Sequence, residues 1–303
     1  MKNSKILIVA AFFSIYIIWG STYLFNKIAV TELSPLFLAS IRFLTAGLLI
    51  MIIAKVLKLS IKITQTQFVN SAIAGFLFLV YGNGVFVWAL TYVASGFAAL
   101  LASTQPLFVL FLLRLIDGKR LQKKSIIGVL LGLVGMYLLV SQKEITTSEG
   151  SVLGIFMILT CVLSWSYGSV FVSKANLPKN YLVATGYQML NAGFILAIAS
   201  LVFKETWVAP LNWSLKTQGA MLFLVIFGGI VAFTAFNYLL KAVSPEKVAT
   251  SAYVNPIIAL FLGWFLLGEQ LTAQSIIASI VLLIGVYFIT SRKRLVKIIA
   301  RKR

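Results

Sequence analysis

The residues able to do chemistry in this chain are polar and aromatic side chains set singly into long apolar runs. Tyr16, Trp19, Tyr23 and Asn26 recur at i, i+3, i+7 and i+10, one face of a helix. Asn83 stands between Gly82 and Gly84, with Trp88 following. Ser103-Thr104-Gln105 precedes Pro106, and Tyr253-Val254-Asn255 precedes Pro256. Amide side chains offer a donor and an acceptor, while Trp and Tyr combine apolar bulk with a polar handle. This is equipment for noncovalent recognition of a small molecule. The candidate substrate-binding residues are Trp19, Tyr23, Asn83, Trp88, Gln105, Trp165, Asn237, Tyr238, Tyr253 and Asn255. A proline frees the carbonyl four residues back, here Ala102 and Ala252, so Pro106 and Pro256 are candidate hinges. The same residues have plainer readings: an aromatic helix seam, packing kinks, or helix-to-helix hydrogen bonds.

Missing groups narrow the chemistry further. The chain has no histidine, and none of its seven Asp and Glu lies deep in an apolar run. Imidazole relays, His metal sites and paired buried carboxylates are absent, so neither a metal nor a cofactor is expected. An intramembrane enzyme would be left with Ser or Tyr chemistry alone. Transport coupled to protons through a buried carboxylate has no candidate, which favours a facilitator or exchanger. The single cysteine, Cys161, lies in an apolar run and reads as core packing. Arg42 is the one formal charge well inside an apolar segment. It lies about 10 Å from the outer end, within reach of snorkelling or carbonyl capping.

The elements that must position these residues follow from composition. Of 303 residues, 60% are hydrophobic and 11% charged, and mean hydropathy is +1.01. So little charge cannot coat a soluble surface, and lipid must solvate the chain. Apolar segments cover about 6–28, 35–57, 67–90, 95–115, 124–140, 151–173, 181–203, 216–240, 247–267 and 272–291. The expectation is an all-α membrane protein of ten transmembrane helices. The apolar run after Met1 is longer than a signal-peptide core and reads as the first helix, retained. With the N-terminus inside, 21 of the 26 Lys and Arg fall on the inner side, four on the outer, and Arg42 within a helix. That asymmetry puts both termini in the cytoplasm. It also accounts for the net charge of +19 without nucleic acid.

The chain repeats itself. At an offset of 150, Pro106 matches Pro256, Gln105 matches Asn255, and Leu110-Phe111-Leu112 matches Leu260-Phe261-Leu262. Ser125-Ile126-Ile127 matches Ser275-Ile276-Ile277, and Gly135 and Tyr137 match Gly285 and Tyr287. At an offset of 146, Trp19 pairs with Trp165, Arg42 with Gln188, and Leu44-Thr45-Ala46-Gly47 with Leu190-Asn191-Ala192-Gly193. The unit is five helices, and an odd unit used twice must be inverted. The four Lys/Arg of Asp117–Lys124 have no counterpart in Leu267–Gln274, as inversion requires. The expected layout is residues 1–145 as the first repeat, 146–291 as the second, and 292–303 as a basic cytoplasmic tail. Gly128, Gly132 and Gly135 serve close packing within a monomer rather than a dimer contact.

Trp19-Gly20-Ser21-Thr22-Tyr23, Ile41-Arg42-Phe43 with Ala46-Gly47, Ser164-Trp165-Ser166-Tyr167-Gly168-Ser169, Tyr253-Val254-Asn255-Pro256 and Gly268-Glu269 together resemble the EamA-type branch of the drug/metabolite transporter superfamily. The resemblance implies a ten-helix, two-repeat exporter of amino acids or related metabolites in the inner membrane. It implies a cavity ringed by helices 1, 3, 4, 6, 8 and 9, with 5 and 10 at the periphery and Arg42 away from the cavity. A carrier for drugs or lipid-linked intermediates is the alternative. The small four-helix relatives use a first-helix glutamate for proton coupling, which this chain lacks. The partners expected are a small-molecule substrate and membrane lipids.

Overall fold

The computed structural model describes residues 5–89, 92, 98, 101–118, 122–141, 151–267 and 272–290. Gly268-Glu269, the junction at 145–146 and the tail 292–303 lie outside the described residues. Among those described, every regular element is helical. We number them α1 (Lys5–Val30), α2 (Pro35–Val56), α3 (Gln65–Ala89), α4 (Gln105–Asp117), α5 (Lys123–Val140), α6 (Ser151–Lys174), α7 (Tyr181–Val202), α8 (Leu215–Ala242), α9 (Ser251–Leu267) and α10 (Ala273–Thr290). Six of these, α1, α2, α3, α6, α7 and α8, are long and apolar enough to cross a membrane. Large apolar side chains such as Leu48, Ile52, Val134, Phe194, Ile198 and Ile280 stay exposed on outer helix faces. In water such a surface would aggregate; in lipid it is solvated.

Local chemistry sets the helix ends. Ser34-Pro35 opens α2, with proline in the first turn where its missing N–H costs nothing. Both α2 and α7 close in the same way. Lys58 and Lys204 take left-handed backbone angles (φ 54° and 55°). The N–H of Leu59 reaches the Ala54 carbonyl and that of Glu205 the Ser200 carbonyl, each closing a Schellman turn. Lys58 and Lys204 are 146 residues apart, the offset that relates Trp19 to Trp165. Thr64 and Gln67 form a reciprocal capping box at the start of α3, and Ser214 caps the start of α8.

The helix contacts have a regular symmetry. α2 packs chiefly on α7, and α5 on α10. A Cβ on Gly47 would meet Leu190, and one on Gly193 would meet Leu44, both at under 3 Å. Residue numbers in the two contacts have the same sum, so α2 and α7 run antiparallel. Because Leu44 corresponds to Leu190 and Gly47 to Gly193, the contact is also reciprocal, as across a two-fold axis. The second pair behaves alike: Gly128 meets Gly285, and Gly135 meets Ala278. These glycines are required because backbone lies where a side chain would start.

A further paired feature is π-helical. Phe76–Val85 within α3 and Leu224–Phe233 within α8 are wound with the wider turn. Such a stretch leaves carbonyls to be satisfied from outside the helix. Ser164 donates to the Leu77 carbonyl (2.9 Å), and the Cys161 thiol to that of Tyr81 (3.2 Å). Trp19 Nε1 approaches the Gly228 carbonyl (3.5 Å).

The two ends of the bundle differ. At one, Lys174 pairs with Asp117, Lys241 donates to the Ala175 carbonyl, and Asn70 donates to that of Asn176. We call this the lysine face. At the other, the Glu32 carboxylate accepts from the Ser214 N–H and hydroxyl (3.0 and 2.8 Å). Glu205 there accepts from the N–H groups of Leu36 and Phe37 at the start of α2 (3.1 and 2.7 Å). This is the carboxylate face.

Candidate functional site

Mid-bundle, five aromatic rings from four helices meet. Trp19 of α1 stands edge-on to Trp165 of α6, with centroids 5.8 Å apart and planes at 85°. Phe236 of α8 lies 4.9 Å from Trp19 and 5.8 Å from Trp165. Phe78 of α3 closes the group at 5.1 Å from Trp165, 5.2 Å from Phe236 and 5.8 Å from Phe233. The edge-to-face contacts set positive ring edges against negative faces. Glycine makes room: a Cβ on Gly82 would lie 2.9 Å from Trp165, and one on Gly168 2.8 Å from Phe78. Each π-helical stretch contributes a ring to this cluster, Phe78 from α3 and Phe233 from α8.

On its lysine-face side most polar groups are bonded to protein, while the buried hydroxyl of Tyr238 has no partner among the described residues. Thr250 donates to the Lys247 carbonyl (2.6 Å), so its oxygen accepts from the Tyr16 hydroxyl (2.7 Å). The Asn255 amide, nitrogen toward its acceptors, donates to the carbonyls of Ser251 (3.1 Å) and Tyr16 (3.2 Å). Asn237 is buried in a network with Gln188 (3.2 Å), Thr185 (3.1 Å) and the Phe233 carbonyl (3.2 Å). Tyr238 lies against Tyr181 at 5.2 Å.

Toward the carboxylate face the arrangement is looser. Tyr23, Asn83, Trp88 and Gln105 are only half-buried. Among the described residues no hydrogen bond engages the amide of Asn83 or Gln105. Tyr23 lies four residues beyond Trp19, about 6 Å along α1. Trp88 rests on Phe203 at 5.1 Å.

The structure therefore brings together Trp19 and Trp165, and leaves Tyr23, Asn83 and Gln105 with surface to spare. Asn237 and Asn255 are engaged in helix-to-helix bonding. Tyr253 belongs to a different core. Its ring is fully buried over Gly132 of α5, and its hydroxyl reaches the Val129 carbonyl (3.4 Å). The two prolines are not equivalent. Residues 101–102 are helical, Ser103 and Thr104 turn, and α4 restarts with Pro106 in its first turn. The second break falls at Ala249-Thr250, six residues before Pro256, which sits inside α9. The helix runs on through the proline. Arg42 Nη2 is 3.0 Å from where a Cβ on Gly228 would stand, the glycine whose carbonyl Trp19 approaches.

Sequence reasoning missed Phe78, Phe233 and Phe236. A phenylalanine in an apolar run reads the same whether it faces lipid or core. The Gly228-Gly229 pair in α8, matching Gly82-Asn83-Gly84 in α3, was the available signal that bulky neighbours approach there.

Known proteins share the sequence and the fold of this chain. The model of the EamA-like transporter family matches twice, over residues 6–141 and 152–291. The inner membrane transporter YedA of Escherichia coli is 38% identical over 94% of this chain and 91% of its own length. The protein PagO of Salmonella typhimurium is 23% identical over 93% and 92%. A solved crystal structure shares the fold, with a TM-score of 0.78 over 95% of this chain and 97% of that one at 19% identity. Matched along almost its whole length, the chain belongs to the EamA-like transporter family.

Proposed function

We propose that this protein is a secondary transporter that exports amino acids or related small metabolites across the inner membrane by alternating access. Ten helices form two five-helix repeats of opposite insertion, and both termini face the cytoplasm. The observation that carries this reading is the meeting of repeat partners, Trp19 and Trp165, at mid-bundle. Reciprocal antiparallel packing of α2 on α7 and α5 on α10 supports the inversion, as do the two family matches. A pathway between two such halves can open to either side by rocking about the shared centre.

The lysine face is the cytoplasmic one, by the excess of basic residues in its loops. On this reading the cytoplasmic half is the more tightly bonded one. The Tyr16–Thr250 bond and the aromatic cluster close the cytoplasmic half, while Tyr23, Asn83, Trp88 and Gln105 line the outer half. Half-buried aromatics with few charges suit small molecules carrying an apolar group. Export can be tested in a bacterium lacking its own exporters, fed mixed dipeptides, by measuring free amino acids outside. Selective accumulation with the wild type, reduced with Asn83→Ala at equal membrane levels, supports the reading. No accumulation from wild-type protein present in the membrane refutes the amino-acid assignment.

A further inference from the structure

Arg42 is 5% exposed and sits within a helix long and apolar enough to span a membrane. A charge buried there normally has a partner of opposite sign. Arg42 has none among the described residues. Its Nη1 makes one long bond to Asn26 Oδ1 (3.5 Å), and its Cζ lies 5.0 Å from the Phe43 ring centroid. Nε is buried without a partner, and no hydrogen bond engages Nη2. Glu32 and Glu205, the carboxylates of the same end of the bundle, are committed to Ser214 and to the α2 N-terminus.

Nε and Nη2 form one edge of the planar guanidinium, the edge that grips a carboxylate through two parallel bonds. Gly228 has no side chain to obstruct that edge, and Trp19 of the central cluster touches the same residue. The buried, unpartnered edge of an uncompensated cation thus packs beside a glycine that Trp19 also touches. We propose that Arg42, with Asn26, is the anion subsite of the transport pathway and takes the carboxylate of a small organic acid or amino acid. One cation and one amide match a single negative charge; a phosphate dianion would need a second cation. The subsite rests on the transport reading for its place in a pathway, and it deepens that reading by making a carboxylate part of what is recognised.

The test uses the full chain in nanodiscs, with sodium benzoate and its neutral isostere benzamide as probes, at constant ionic strength in chloride. Benzoate should raise the unfolding temperature of the wild type in a saturable way, and benzamide should not. Arg42→Gln should weaken the benzoate effect at least tenfold, and Arg42→Lys should retain part of it. Without ligand, Arg42→Gln should unfold at or above the wild-type temperature, because an unpaired buried charge is removed. An equal benzoate shift in Arg42→Gln, no shift in the wild type, or loss of folded protein in Arg42→Gln would each overturn the subsite. The last result would make Arg42 a structural cation. Amino-acid export without these benzoate effects would sink the subsite alone. Benzoate binding at Arg42 without amino-acid export would sink the amino-acid assignment alone.

Discussion

The two halves of the bundle, above and below the aromatic cluster, treat the same kinds of residue in opposite ways. On the lysine-face side, Asn237, Asn255 and Tyr16 are held by other protein groups. On the carboxylate-face side, Asn83, Gln105 and the Nε of Arg42 have no such partner among the described residues. In lipid, a polar group without a partner is expensive. The half that uses its asparagine amides is built mainly for cohesion, although the Tyr238 hydroxyl there is buried without a partner among the described residues. On the transport reading proposed above, the unused groups of the other half are the ones a substrate would engage. An asparagine in a membrane helix is therefore not a sign of a binding site by type alone; whether neighbours already use its amide decides.

The contrast can be broken from the centre outward. Trp165→Ala removes a ring that touches Trp19, Phe78 and Phe236, and should cost about 3–5 kcal/mol of stability as well as transport. Thermal unfolding in detergent measures the first and dipeptide-fed export the second. A variant that keeps wild-type stability would show that the rings are not packed against one another. Next, Asn237→Leu leaves Gln188 and Thr185 short of partners and should cost about 1–3 kcal/mol. Asn83→Leu should change stability by less than about 0.5 kcal/mol, because no protein bond is lost. Its effect should instead be on export, by tenfold or more. The reverse ranking would erase the distinction between the two halves.

Tyr16→Phe sharpens the contrast on a smaller scale. It deletes one hydroxyl and one bond across the α1–α9 contact, about 0.5–1.5 kcal/mol. That bond is lost only if the lysine-face half opens, so its removal should raise the open population by roughly two- to tenfold. The rate of alkylation of a cysteine placed at Ala252 reads this out. An unchanged rate would mean that closure does not depend on Tyr16.

Much of the fold was legible because the hydrophobic effect and lipid solvation act through composition. The helix positions, the offsets of 146 and 150 and the matched glycines all appear in the sequence, since close backbone contact tolerates no other residue. The site was less legible. Trp19 and Trp165 were visible as repeat partners, and they meet. Asn237, Asn255 and Asn83 looked alike in the sequence, because amide type says nothing of whether neighbours satisfy it. Pro106 and Pro256 looked equivalent, yet Pro256 sits inside a continuous helix while Pro106 opens one after the turn at Ser103-Thr104. The differences among the amides arise from tertiary hydrogen bonding, which no local pattern encodes.

The mildest prediction concerns the carboxylate face itself. Hydrogen bonds from Thr217, and from the N–H and hydroxyl of Ser214, hold the Glu32 carboxyl below the usual carboxylate range. A depressed native pKa means that the unfolded chain binds the proton more readily. The bond therefore stabilises the α1–α8 corner above the unfolded value of about 4.3 and is lost as pH falls through the lower folded value. Glu32 is solvent-exposed, so its share is small and screened by salt. Wild-type unfolding temperature should decline on acidification below about pH 4.3, and Glu32→Gln should flatten a small part of that decline. The variant should leave export at neutral pH unchanged, since Glu32 fixes the start of α8 and stands apart from the aromatic cluster. If Glu32→Gln reduced export at neutral pH with stability intact, the carboxylate face would take part in transport. The line between a cohesive and a receptive half would then have to be moved outward.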